Sequence, residues 1–380
     1  MKKALIYGAG NIGRGFIGQL FFQSGYFATF IDVNETLIDE LNKRQSYPLR
    51  ILEDNADRDL LIKNVKAQDA RDRAAAAQHI AEADIMATAV GAEVLPLIAP
   101  VIAEGLIRRF ELGALPLDIL ICENLKNAGS VLGGLVRNNL TENTRPWFDS
   151  NIGLVETSIG RMVPLQTPEL MDGDPLRISV EAYSELPADK EAFRNGIPDI
   201  DGLKPYSPFS FYVDRKLYIH NMGHALTAYH GDVLGLEFIW QAIVNPAIKA
   251  SVRRAMLSSA DAIAISYGVD KADLYNHVED LLQRFCNRKL GDTVYRVGRG
   301  IRRKLAPEDR LIGALRLCQK AGTDTGDLLR GISLALRFSH SDLDMPPDMA
   351  LGGICGIDRE EDAYKQIIGY YNAIAADGQP

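Results

Sequence analysis

The sequence is poor in cysteine and has no long hydrophobic run. Its four cysteines, Cys122, Cys286, Cys318 and Cys355, are scattered without CxxC spacing. That argues against a disulfide framework and predicts reduced, mostly buried thiols in a cytoplasmic protein. No segment approaches the length of a membrane span, and the opening MKKALIYGAG reaches glycine too soon for a secretory signal, so no membrane partner is expected. Positive charge is in deficit: 42 Lys and Arg against 50 Asp and Glu give a net charge of −8. A nucleic-acid surface needs a basic face, so no nucleic-acid partner is expected. Low-complexity tracts and internal repeats are absent. What remains is an ordinary globular composition, 47% hydrophobic and 24% charged over 380 residues, long enough for two domains with separate cores.

Apolar runs alternate with helix-like segments in the first third. ALIY, FATFI, DIMATAV and LDILIC are separated by stretches such as AEVLPLIAPVIAEGLIRRF and LKNAGSVLGGLVRNNL. This rhythm predicts a parallel sheet wound with helices on both faces. GLVETSIGRMVP and LRISVEAYSEL, between residues 152 and 186, read as further strands that extend the sheet. The turn-rich GIPDIDGLKPYSPFS separates this half from a second one whose patterns are long and helical. The expected fold is therefore α/β: a Rossmann-type N-terminal domain over residues 1–200 with an extended, mostly parallel sheet, then a mostly α-helical domain over residues 201–380.

The first strand runs directly into Gly8-Ala9-Gly10-Asn11-Ile12-Gly13 and an amphipathic helix. In a dinucleotide-binding turn the three glycines allow a tight turn, close approach of backbone to pyrophosphate, and close packing of helix on strand. The free N–H groups and dipole of the helix N-terminus then favour the phosphates. The second strand ends in Asp32, whose carboxylate can accept from the ribose hydroxyls and repel a 2′-phosphate. No Arg or Lys follows in DVNET, so NAD is favoured over NADP. The alternative is a glycine-rich turn in an α/β protein that binds no nucleotide.

KLYIHNMGHA, residues 216–225, brings a lysine, an asparagine and two histidines together. At about 100° per residue, Lys216, His224 and Asn221 fall at roughly 0°, 80° and 140° on a helix, sharing one broad face. Gly223 lies beside Lys216 and leaves room for a ligand. His220 falls in the same arc, so geometry alone does not exclude a metal. Chemistry disfavours one: the residue after His220 is Asn221 rather than the glutamate of the zinc-protease pattern, and no third ligand is near. A second alternative is a solvated lysine beside packed histidines. Asn124, in CEN just past a sheet strand, favours a reactive reading, because ligands of open α/β sheets bind at that edge. Oxidising a secondary alcohol needs a base and donors for the developing alkoxide. A desolvated lysine suits the first task, and Asn124 and Asn221 suit the second. His224 would orient a substrate hydroxyl.

Lys216-x4-Asn221-x2-His224 resembles the signature of the zinc-independent long-chain polyol dehydrogenases. The likeness extends to YGAGNIGRGFIG, DVN, TAVG, CEN, GRMVP, and the RVG, RKL and DRLI of the basic stretch. It implies that Lys216 is the general acid/base, that Asn124 and Asn221 stabilise the alkoxide, and that His224 binds substrate. It also implies that Ala89, Val90 and Gly91 line the NAD site, and that no metal takes part. The unbroken Gly8–Arg14 motif is similar to the phosphate-using branch, which implies a small sugar or polyol phosphate as substrate, handled by a monomer or small homo-oligomer. The stretch YRVGRGIRRKLAPEDR carries six cations, Arg296, Arg299, Arg302, Arg303, Lys304 and Arg310, of which Arg303 and Lys304 match the branch's RKL. Arg161 is a further expected substrate contact. Gly160 and Glu156 depart from the family, each standing where an aspartate is expected. Other polyol phosphates, free polyols and hexuronates remain alternatives, as does a non-catalytic NAD sensor.

Overall fold

The strand β1, Lys3–Tyr7, is buried at every position after its first, as expected of a strand covered on both faces. The computed structural model describes residues 1–53 and 56–376. The chain divides into two units, Met1–Ser210 and Phe211–Pro380; the last four residues of the second, 377–380, lie outside the described residues.

The strands after β1 are β2 (Phe27–Asp32), β3 (Ser46–Leu52), β4 (Arg58–Lys63), β5 (Val65–Asp69), β6 (Ile85–Thr88), β7 (Leu117–Ile121), β8 (Ile152–Glu156), β9 (Ile178–Glu181), β10 (Leu186–Asp189) and β11 (Leu203–Tyr206). Five of them join β1 in a sheet of the order β5-β2-β1-β6-β7-β8, and every pair in it is parallel. The order reverses between β1 and β6, which creates the crevice at the carboxyl ends where such sheets bind ligands. Alternation along β1 sends Ala4 and Ile6 into one core, with Phe16, Phe30 and Tyr47. Leu5 and Tyr7 enter a second core on the opposite face, with Ile98, Ile102 and Leu106. Fully burying a side chain such as Phe30 stabilises the fold by roughly 1.5–3 kcal/mol.

One expectation needs correction. β8 extends the sheet, but β9 does not: it pairs parallel with β3, which forms an antiparallel hairpin with β4. This small separate sheet backs the glycine turn, with Ile178 and Val180 against Gly15. The turn-rich segment near residue 200 belongs with the first unit. It carries β11, whose parallel ladder to β10 holds it in the first unit up to Ser210.

Among the described residues the second unit's elements are all helices, with one isolated β-bridge between Phe238 and Thr293. The helix Met222–Val233 packs against the helices Pro246–Tyr267, Val294–Gly298 and Gly326–Ala335, and it is buried around most of its circumference. The helix Pro246–Tyr267 starts with Pro246 behind Asn245, whose side chain accepts from the N–H groups of Ala247 and Ile248. No helix among the described residues is long and apolar enough to cross a membrane.

Candidate active site

In the first unit the glycine turn is shaped by close contact. Gly8 has φ +103°, and a Cβ there would lie 2.4 Å from the carbonyl oxygen of Ala89. A Cβ on Gly13 would lie 1.9 Å from the carbonyl oxygen of Gly8, whereas Gly10 faces open space with nothing within 4 Å. The Ala9 N–H donates to Oδ2 of Asp32 at 2.7 Å, and the N–H groups of Val33 and Asn34 donate to Oδ1. Arg14 Nε donates to the Ala9 carbonyl at 2.7 Å, and Nη1 donates to the Leu176 carbonyl. Because the peptide is trans and planar, fixing that carbonyl turns the Gly10 N–H the other way, as a phosphate-binding turn requires.

A cavity of about 580 Å³ opens here, bounded by Gly8, Gly10, Asp32, Ala89, Val90 and Leu97 among others. Its size and lining suit a nucleotide cofactor. Of the other residues expected to hold it, Ala9 and Gly13 are buried beneath the turn. Asn11 and Ile12 open the helical segment, and Gly91 takes φ +95°. These residues fit NAD.

Glu123, buried beside Asn124, had not stood out in the sequence. Its carboxylate accepts from Thr88 Oγ1 at 2.6 Å and from the Val90 N–H at 3.0 Å, tying the Thr88–Val90 loop to the end of β7. The sequence signal was a carboxylate two residues past the end of a wholly buried strand. Asn124 itself is exposed, just past β7 at the carboxyl edge of the sheet.

Three neighbouring positions turn out to serve the scaffold. Glu156 accepts from the Gly129 N–H at 3.1 Å, at the start of the helix Ala128–Arg137, and burial raises its pKa. A Cβ on Gly160 would sit 3.0 Å from the ring of Tyr183. Arg161, expected at the substrate, is instead buried: Nη1 donates to the Gly15 carbonyl and Gln19 Oε1, and the guanidinium lies over the Phe16 ring. It braces the helix behind the glycine turn, because a buried guanidinium requires fixed acceptors.

In the second unit, Lys216–Asn221 is a π turn leading directly into the helix Met222–Val233. A π turn closes on residue i+5, so Lys216 and Asn221 stand one above the other, where an α-helix would spread them by about 140°. Such turns are frequent at functional sites. Lys216 is half-buried. Desolvation, helped by the charge of Arg310, lowers its pKa from 10.5 to about 8. Gly223 does not make room for a ligand; a Cβ there would meet Met256 Sδ at 2.5 Å, so the glycine serves helix packing.

His224 stacks on Phe285 at 4.7 Å, and its Nε2 lies 3.4 Å from Oδ2 of Asp292. Asp292 is buried and also pairs with Arg296. Burial, with Arg296, Arg310 and Lys304 nearby, outweighs that carboxylate and lowers the His224 pKa to about 3. The neutral ring is therefore assigned its proton on Nε2, facing Asp292, which leaves Nδ1 as an acceptor. His220 is buried against Phe285, with its pKa far below the usual histidine value. Among the described residues no group of three or more His, Cys, Asp and Glu could hold a metal ion.

The basic stretch splits by burial. Lys304 is buried and donates to the carbonyls of Val297 and Arg299, and desolvation lowers its pKa to about 7. It closes the end of a helix rather than offering a free cation. Arg310 donates to Asp309, while Arg299, Arg302 and Arg303 are exposed.

The model of the mannitol dehydrogenase Rossmann domain matches residues 2–202, and that of the mannitol dehydrogenase C-terminal domain matches residues 209–346. The chain belongs to the mannitol dehydrogenase family. Among solved structures it is similar to D-sorbitol dehydrogenase in substrate-free form, with a TM-score of 0.84 at 14% identity over 99% of this chain and 93% of that one. It is also similar to Pseudomonas fluorescens mannitol 2-dehydrogenase, solved as a ternary complex with NAD and D-mannitol. There the TM-score is 0.73 at 14% identity, over 99% of this chain and 91% of that one. At such identity these two likenesses are of fold. The two domains that the family models match are the ones that carry the glycine turn and the π turn.

Proposed function

We propose that the protein is an NAD-dependent oxidoreductase interconverting mannitol 1-phosphate and fructose 6-phosphate, with Lys216 as general acid/base. The observation that carries this reading is the π turn, which stacks Asn221 beside a half-buried lysine of lowered pKa. NAD, held by the glycine turn and Asp32, would supply the hydride acceptor for the carbinol carbon in the oxidising direction. The neutral Lys216 amine takes the hydroxyl proton and returns it in the reverse direction. The amides of Asn221 and Asn124 donate to the oxygen on which charge develops. His224, its tautomer fixed by Asp292, accepts from a neighbouring substrate hydroxyl. The phosphate falls to the exposed Arg303, with Arg299 and Arg302 beside it in sequence. Four free cysteines, three of them buried, support a reducing, cytoplasmic setting.

A second reading keeps the chemistry and removes the phosphate, giving a free polyol or hexuronate. What favours it is that Arg161, Lys304, Arg296 and Arg310 are all held by internal partners. Lys216→Ala tests the reading that both share. Turnover should fall by about 10²- to 10⁴-fold, as when a general acid/base is removed, while NADH binding is unchanged. A variant that keeps its turnover would refute the role of Lys216.

A further inference from the structure

Arg71 stands at the mouth of the cavity that also holds Asp32 and Val33. Its Nη1 lies 2.6 Å from Glu35 Oε1, and its Nη2 lies 2.7 Å from Asp69 Oδ2. The Nε and backbone N–H of Arg71 also reach Asp69 Oδ1, each at 2.9 Å. Glu35 follows Asp32 by three residues, and Asp69 ends β5, the strand paired with β2. Both sides of the guanidinium fork therefore face carboxylates at the edge of the cavity that Asp32 lines.

A guanidinium is the side chain best shaped to grip a phosphate. One that lines a nucleotide cavity would ordinarily draw in a 2′-phosphate. Here Glu35 and Asp69 hold it, and with Asp32 lining the same cavity they leave the corner negative.

Resting on the reading that this cavity takes NAD, we propose that Glu35 and Asp69 hold Arg71 as a withheld phosphate ligand. This makes Glu35 and Arg71, together with Asp32, the determinants of NAD over NADP. Asp32 repels the 2′-phosphate, and the carboxylate clamp denies it the nearest cation.

The test is direct binding of NADH and NADPH, followed by cofactor fluorescence, to wild type and to three stacked variants. Asp32→Ser should weaken NADH about tenfold or more and help NADPH only slightly. Adding Glu35→Gln should tighten NADPH by about a further tenfold, the scale of one new charge-assisted contact. Adding Arg71→Ala should abolish that gain. The three side chains are partly or largely solvent-exposed, and circular dichroism checks that each variant is folded. No tightening by Glu35→Gln would overturn the proposal. So would a gain that survives Arg71→Ala, because removal of a negative charge would then explain it. Failure of wild type to bind NADH would instead overturn the cofactor reading beneath it.

Discussion

Replacing Arg310 by glutamine probes the charge environment of Lys216 without touching the amine. Burial is the main cause of the depressed lysine pKa, and the Arg310 charge is the next. Removing one unit charge near a half-buried amine raises its pKa by roughly half a unit to one unit. With a pKa of about 8, roughly a tenth of Lys216 is neutral at pH 7; at 8.5 to 9 the fraction falls to roughly 1–3%. The base in alcohol oxidation must be neutral, so the rate rises with pH through the lysine pKa. The variant should lose about three- to tenfold in oxidation kcat at pH 7 and recover fully near pH 10. The assay is initial-rate kinetics of polyol oxidation from pH 6 to 10, with wild type and variant side by side. The reverse reaction needs protonated lysine, so its alkaline limb should move up by the same interval. An unshifted profile, or a loss equal at every pH, would refute the electrostatic account of Lys216.

The glycine turn gives a paired expectation. Gly10→Ala, with open space around it, should keep its melting temperature yet weaken NADH binding more than tenfold; Gly13→Ala, which would drive a Cβ against the Gly8 carbonyl, should lose about 1–3 kcal/mol of stability. Calorimetry and fluorescence titration separate the two, and equal melting temperatures would contradict the packing argument. Acid should destabilise the second unit. His220 is buried, His224 and His230 are half-buried, and all three have pKa values below the usual 6.5, so the unfolded chain binds more protons below that pH. Stability should therefore fall as pH drops from 6.5 towards 4, each histidine contributing up to roughly 1.4 kcal/mol per pH unit. Urea unfolding at pH 7, 5.5 and 4.5 checks this, and a flat profile would contradict it.

The parallel sheet could be read from sequence because strands buried on both faces are short, mostly apolar runs, and β1, β2, β6 and β7 are such runs, each with one or two polar residues. The β3–β4 hairpin is harder to read, because Pro48 interrupts β3 and β4 leaves most of its positions exposed. β9 could be recognised as a strand, but periodicity does not say which neighbour a strand will choose. Lys216, Asn221 and His224 stood out as residue types, yet their arrangement did not: an α-helical wheel assumes 3.6 residues per turn, and the π turn breaks that assumption. Burial was the other gap. Arg161 and Lys304 look like substrate cations in sequence, and only the fold shows which carbonyls hold them. Asp292 lies far from His224 along the chain, and nothing local to either residue signals the pairing.

The most direct measurement is NADH oxidation, with EDTA present throughout, offering fructose 6-phosphate beside fructose, fructuronate and tagaturonate, in wild type and Lys216→Ala. The account predicts rapid turnover with fructose 6-phosphate alone, lost in the lysine variant. Preference for an unphosphorylated partner would overturn the substrate, and turnover undiminished in the variant would overturn the mechanism.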